Sequence, residues 1–537
     1  MADNRRIDRE CAACGGQGHD AHHRMWSRRD FLSTLLGATA TVGLSLYRIP
    51  LYATAPRSGL PSLLTLNPDR RLVLIQLKGG NDGFNTIVPV QNDLYYNLRP
   101  NLAIAANQTV PLNGELGMHS AMSPLQGVWG EGQMAVIQGA GYPDASLSHF
   151  ESTDIWTSAS TDASGKLTGW IGNALDLEYP DFLEQPPEYP LALRVGGPQP
   201  LLFQGPSARM GIAINNAAAF DRLVSTGTLY DEEDVPPTFG GEELAFVRRS
   251  ANEALTFGRL IQEAAAVGQN RVEYPDNPLG SSLAIVSQMI KGGLQTQIYL
   301  VELGGFDTHG NQVERHEELL ADLSLSVQAF FSDLEADEAS SDVLALTFSE
   351  FGRRPYENGS GGTDHGTAAP MFAVGPGVNG GIYSDMPLLD QLDPQGNVAP
   401  TIDFRSVYAT TLVNWMGMTA DDVALLLGAS YELVDFVSSG AGTQASNEAP
   451  ERHLPLTNYP NPFGLSTTIA FSLERSESTR LSLFDVQGRH VVDLASGQMT
   501  PGRHTVPFDA SNLPVGAYVL RLDSESGSET RVVTVAR

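Results

Sequence analysis

Hydrophobic residues along this chain come in two rhythms, and the change between them divides it. In the first, uninterrupted apolar runs stand between helical stretches: RLVLIQ (71–76), MAVIQG (134–139), LALRV (191–195), QIYLVEL (297–303) and VLALTF (343–348). Runs of that length and β-branched content predict strands covered on both faces. The stretches between them carry apolar residues at helical spacing. Over 242–267 the stripe is Leu244, Val247, Ala251, Leu255, Leu260 and Ala264. Further helices are predicted over 279–290, closed by Gly292 and Gly293, over 312–334, and over 403–415. Phe372 to Val374 adds a short strand. Strands alternating with helices predict an α/β domain with a mostly parallel sheet, here placed at 56–436. A helical insertion over that sheet is expected at about 206–292.

Beyond Asp435 the rhythm changes. Residues 437–455 (VSSGAGTQASNEAPERHLP) are small and polar with two prolines, a linker composition. After it come short alternating runs at 467–473, 479–485, 490–494, 504–508, 516–523 and 530–536, separated by Gly- and Pro-containing turns. That pattern predicts an all-β sandwich over 456–537.

Length and charge narrow the field. A chain of 537 residues with 42 % apolar content supports two or three folded units. A formal charge of −29 excludes a nucleic-acid backbone as partner. Among the basic residues only Lys78, Lys166 and Lys291 are lysines. The two cysteines, Cys11 and Cys14, form a lone Cys-x-x-Cys without the second pair of a structural zinc site. Nearby, Ser27-Arg28-Arg29-Asp30-Phe31-Leu32 precedes a mildly apolar run and fits the Ser-Arg-Arg-x-Phe-Leu pattern of a twin-arginine export signal. Residues 1–55 are therefore read as that signal, with the twin-arginine translocase as partner and export as destination.

Candidate chemistry gathers where predicted strands end. The first strand runs into Gly79-Gly80-Asn81-Asp82-Gly83, and 297–303 runs into Gly304-Gly305-Phe306-Asp307-Thr308-His309. The strand 343–348 delivers Ser349, Glu350, Arg353 and Arg354, and a glycine-rich loop then ends in Asp364-His365. Ligands collect at the carboxyl ends of such strands. Carboxylate and imidazole suit zinc or manganese, and guanidinium suits a tetrahedral anion. Asp307 and His309, two apart, can chelate one ion. The loop after 134–139 carries Ser146, Ser148 and His149, and its plain reading is a cap on the helix that starts near Phe150.

Taken in order, LKGGNDGFNT, GYPDASLSHF, LGGFDTH, SEFGRRPYENGSGGTDHG and DFRSVYA resemble the family of proteins named domain of unknown function fifteen-hundred-and-one, of the alkaline phosphatase and sulfatase-like superfamily. The resemblance covers roughly Arg28 to Asp435. It implies an alkaline phosphatase-like fold, a mixed and mostly parallel sheet sandwiched by helices, with divalent metal at the strand ends. It further implies Asp82, Asp307, His309, Glu350, Asp364 and His365 as metal ligands, Ser148 as nucleophile with Ser146 as substitute, and Arg353 as the oxyanion's partner. Two departures stand out. Glu350-Phe351 replaces the superfamily's usual Asp-His, which points to fewer metals or to a calcium-like site, so zinc, calcium and manganese all stay open. The Asp307-x-His309 spacing is tight, which keeps His316 as a substitute ligand.

The C-terminal wording, NYPNPFGLSTTIAFSL, LSLFDVQGRHVVDL and PGRHTVPFDASNLPVGAYVLRL, resembles the C-terminal sorting domain of type IX secretion. It implies the type IX machinery as partner and a secreted or outer-membrane-surface location. Together the resemblances imply an exported sulfatase- or phosphatase-like hydrolase acting on a small-molecule or glycan ester. The alternative is a non-catalytic surface protein that keeps the fold.

Overall fold

The computed structural model describes residues 66–437 and 456–536, apart from 162–167, 183–184, 215–223, 232–233, 237, 460–462, 474, 486–488, 501, 512 and 525–526. The export signal, both cysteines and nearly all of the 437–455 linker lie outside the described residues.

The apolar runs form one sheet. Its strands are β1 (Arg71–Lys78), β2 (Met134–Gly141), β3 (Ala192–Val195), β4 (Gly211–Ile214), β5 (Ile298–Gly304), β6 (Val343–Phe348), β7 (Ala369–Val374) and β8 (Gly381–Tyr383), in the order β8-β2-β7-β6-β1-β5-β3-β4. A ninth, Ile402–Asp403, pairs with the end of β2. Only β7 runs against its neighbours β2 and β6; the other pairings are parallel. β1 lies between β5 and β6, so the ends of these three strands are adjacent.

Parallel strands must be covered on both faces, and alternation along each strand supplies two cores. Leu72, Leu74, Leu344 and Leu346 pack on one side with Trp156, Trp170, Phe404 and Tyr408. Val73, Ile75, Val343 and Ala345 pack on the other with Leu283, Leu320, Leu323 and Phe330. The helices that matter are α1 (His149–Ser158), α2 (Phe239–Val267), α3 (Pro278–Lys291), α4 (Gln312–Glu335) and α5 (Phe404–Thr410). α5 is capped by Asp403, whose carboxylate accepts the Arg405 amide at 2.9 Å, and gives way to a π-helical turn at Thr411–Trp415.

Two features differ from expectation. The segment expected to be wholly helical, about 206–292, opens with the edge strand β4, whose four residues GIAI are too few to show a period. A small antiparallel sheet of Ile87–Pro89, Thr109–Pro111 and Leu116–His119 was not anticipated, because proline sits in two of its three strands.

The C-terminal residues form antiparallel sheets of three strands (Thr457–Tyr459, Ser466–Leu473, Gly502–Asp509) and four (Glu477–Asp485, His490–Met499, Gly516–Ser524, Gly527–Val535). They share a core that includes Ile469, Phe471, Leu481, Leu483, Leu520 and Val533. Among the described residues no helix is long and apolar enough to cross a membrane.

Candidate metal site at the strand ends

The loops leaving β1, β5 and β6 are joined by backbone contacts that only small residues permit. Gly79 has φ +122°, and a Cβ there would stand 2.4 Å from the Asp307 amide nitrogen. Its own N–H donates to Glu350 Oε1 at 2.9 Å. Arg353 is wholly buried across the junction. It donates to the carbonyls of Gly80 (2.9 Å), Thr363 (2.9 Å), Phe306 (3.1 Å) and Gly79, and to Asp307 Oδ1 at 2.6 Å. A buried guanidinium is tolerable only when satisfied in this way. Every nitrogen of Arg353 has an acceptor in the protein and the side chain has no exposed surface, which keeps it from a substrate oxyanion.

Around Asp307 the structure gathers three imidazoles. His365 Nε2 lies 3.1 Å and His309 Nε2 3.2 Å from Asp307 Oδ1, and the two ring nitrogens are 3.0 Å apart. His149 Nε2 lies 3.5 Å from Asp307 Oδ2. Each ring's other nitrogen meets an oxygen that can only accept. His149 Nδ1 faces Glu350 Oε1 at 2.8 Å, His309 Nδ1 faces Asp364 Oδ1 at 3.1 Å, and His365 Nδ1 faces the Leu147 carbonyl at 2.8 Å. Those partners assign the proton to Nδ1 in all three rings. The Nε2 lone pairs are then turned on one another and on a carboxylate. Acceptors held that close repel unless a proton or a cation lies among them.

Burial opposes ionisation of Asp307, but the hydrogen bond and charge of Arg353 outweigh it and hold its pKa at about 2. Burial lowers the pKa of His365, which favours the neutral, ligating ring. Asp364 is held below its ordinary value first by its hydrogen bond from Asn358 and then by His309. The spacings suit a metal. Tetrahedral zinc with bonds of about 2.0–2.1 Å sets its ligands about 3.3 Å apart; His149, Asp307 and His365 each offer a ligand atom within 4.8 Å of the other two.

The remaining expected site residues fall elsewhere. Glu350 is buried behind His149 and holds that ring, while its Oε2 has no partner. Asp82 is buried in a different set of contacts. Its oxygens accept from Arg99 at 2.6 and 2.9 Å and from Gln312. His316, the substitute ligand, is buried with Nε2 facing Asn81 Oδ1 at 3.1 Å and Thr86 Oγ1 at 3.4 Å, and burial lowers its pKa to about 4. Ser146 donates its hydroxyl to Glu151 at 2.8 Å. Ser148 is exposed at the N-cap of α1, yet its hydroxyl makes no capping bond.

Sequence reasoning missed His149 as a member of the cluster. Its signal was present: a histidine closing a post-strand loop and opening a helix, overshadowed by the serines beside it.

Fold and cluster together define an α/β protein with an imidazole–carboxylate cluster at its strand ends, followed by an all-β domain. Residues 243–427 match the family described as "Protein of unknown function (DUF1501)", and residues 457–536 match the "Secretion system C-terminal sorting domain". The first match contains Asp307, His309, Glu350, Asp364 and His365. The second marks the chain for secretion. Both family resemblances are thereby shown, the first over the stretch that holds LGGFDTH, SEFGRRPYENGSGGTDHG and DFRSVYA. No curated protein matches the sequence.

Solved structures to which the chain is similar include the PsFucS1 sulfatase from Pseudoalteromonas sp. (10 % identity, 82 % of this chain and 84 % of that one, TM-score 0.32). Another is a protein in the alkaline phosphatase superfamily from Vibrio parahaemolyticus (10 % identity, 81 % and 79 %, TM-score 0.29). A third is the lipoteichoic acid synthase LtaP from Listeria monocytogenes (10 % identity, 70 % and 78 %, TM-score 0.30).

Proposed function

We propose that the chain is an exported, metal-dependent hydrolase of phosphate or sulfate esters. The observation that carries the metal is the convergence of three Nε2 lone pairs on Asp307, each fixed by an acceptor at its Nδ1. The ester class rests on the motif resemblance. Asp307, His309, His365 and His149 would hold the ion, and an imidazole-rich set favours zinc or manganese over calcium, which takes oxygen ligands. A bound divalent ion supplies Lewis acidity and makes a neighbouring hydroxyl more nucleophilic.

The chain's own residues do the rest. Ser148 is the nucleophile in this reading: it is exposed at the N-cap of α1 next to His149, and its hydroxyl makes no capping bond. Ser146 is less suited, since its hydroxyl is held by donating to Glu151 Oε2. Glu350, Asp364 and the Leu147 carbonyl keep the Nδ1 protons in place, which orients each ring and raises its basicity. Arg353 fixes Asp307 and does not meet the substrate.

The substrate proposed is a small-molecule or glycan ester. The route proposed is the twin-arginine translocase followed by type IX secretion, ending outside the cell or at its surface. The test is phosphate and sulfate release over an ester panel, with and without EDTA, for the native chain and S148A. Activity lost with EDTA and with S148A supports the reading, and metal-loaded protein inert on the whole panel refutes it. One observation favours a second reading, a non-catalytic surface protein with a structural ion: the arginine expected at the oxyanion is consumed by the fold.

A further inference from the structure

The ion pair at Asp82 bears on how many metals the centre takes, a question that rests on the metal reading above. Asp82 and Arg99 are both fully buried. Arg99 Nη1 and Nη2 meet the two Asp82 oxygens at 2.6 and 2.9 Å. The other N–H groups donate to Asn85 Oδ1 (2.7 Å), the Arg354 carbonyl (2.8 Å) and the Pro355 carbonyl (2.7 Å). A guanidinium has five N–H donors in a fixed fork, and here each has an acceptor.

For Asp82 to ligate a metal, this charge would have to leave a site with no exposed surface, or stay and face a second cation in low dielectric. Neither is compatible with the packing. Gln312 completes the arrangement. Its Nε2 donates to Asp82, and its Oε1 accepts from Thr308 Oγ1 (3.1 Å) and Thr363 Oγ1 (2.6 Å). Those threonines adjoin His309 and Asp364.

We infer that Arg99 permanently occupies the cation place beside Asp82, so the centre takes one metal ion and not two, and Asp82, Arg99 and Gln312 act as positioning residues. The clasp ties the turn after β1 to the 354–355 backbone and, through Gln312, to both ligand-bearing loops. Asp82 is then the counter-charge of a strut, although the motif resemblance implies a ligand there.

The experiment counts zinc. The full chain is stripped with chelator, reloaded with Zn²⁺, passed through gel filtration and assayed by elemental analysis. The count is taken as the difference from a D307A/H365A variant, so that ions bound elsewhere cancel. One equivalent is expected for the native chain and also for D82N. Two equivalents, or a count for D82N that falls to that of the ligand variant while the protein stays folded, overturns the inference. Should D82N fail to fold, X-ray absorption at the zinc edge of the native chain decides. No second metal is expected within about 4 Å, and a metal–metal distance there overturns the inference. A difference of zero overturns the metal reading as well. One tightly held ion without ester hydrolysis overturns only the activity.

Discussion

Glu350 offers the sharpest separation of ligand from orienting group. Its Oε1 accepts two bonds at once, from His149 Nδ1 at 2.8 Å and from the Gly79 amide at 2.9 Å, and the side chain is buried. In E350Q the amide oxygen has to stay on that side, because the Gly79 N–H still needs an acceptor. Shape and tautomer are therefore kept, and only the charge is lost. A hydrogen bond to a charged group contributes about 1.5–3 kcal/mol against about 1 for a neutral one. The difference, about 0.5–2 kcal/mol, is centred on roughly a tenfold weakening of metal binding, at the low end of what orienting partners give. E350A is different in kind, since it strands two buried N–H groups at about 1–3 kcal/mol each and opens a cavity. It should lower the thermal midpoint as well as the affinity. The assay is competition for Zn²⁺ against a chromogenic chelator, with H365A as the reference for loss of a ligand. E350Q binding as tightly as the native chain would refute the orienting role. A collapse to the level of H365A would make Glu350 a ligand after all.

Three further outcomes follow from the same geometry. Lys291 Nζ is buried against Asp333 Oδ1 at 2.7 Å, and that carboxylate also takes the Ser287 hydroxyl and the Arg271 amide, so K291M should cost about 3–5 kcal/mol. K291M/D333L should lose less than K291M alone in thermal melts, and a larger loss would show that the charge pair is not what matters. G79A forces a Cβ against the Asp307 amide at a φ that L-residues avoid, so it should lose about 1–3 kcal/mol and weaken Zn²⁺ binding; an unchanged melt and affinity would contradict the close approach of the two loops. His316 has a folded pKa of about 4 against an ordinary 6.5, because burial disfavours its charged form. Below pH 6.5 the unfolded chain takes up a proton that the folded chain refuses, so stability falls as pH drops from 6.5 to 4, by roughly 3 kcal/mol in all. H316Q should flatten that slope in melts across the window, and an equal slope in both proteins would assign it elsewhere.

How much of this was legible in the sequence depends on whether a feature lies along the chain or across it. The apolar runs placed β1, β2, β5 and β6 to within two residues at either end, and 343–348 without error, because strands buried on both faces need no partner to declare themselves. Strand-end logic likewise brought Asp307, His309, Asp364 and His365 to one place, since β5 and the loop after β6 flank β1. What the sequence could not show is which of two carboxylates has both its oxygens taken by a guanidinium already built into the protein. Asp82 and Asp307 both follow a strand and a pair of glycines. The difference is Arg99, in the motif-free segment NLRPN, whose guanidinium reaches Asp82 only because the chain turns back after Ile87–Pro89.

The same holds for Glu350 and His149, which are 201 residues apart and meet through one oxygen. Read along the chain, Glu350 is an acid where a ligand is wanted and His149 is a neighbour of a serine. Across the sheet the roles change over: the acid holds the ring, and the ring faces the centre. A strand end can bring a side chain to the site, but its role there is set by what occupies its other polar atoms. Asp307 meets Arg353 through Oδ1 alone and is half exposed beside three imidazole nitrogens, while Arg99 takes both oxygens of a fully buried Asp82. One carboxylate thus keeps an oxygen clear of its arginine, and the other has both oxygens taken.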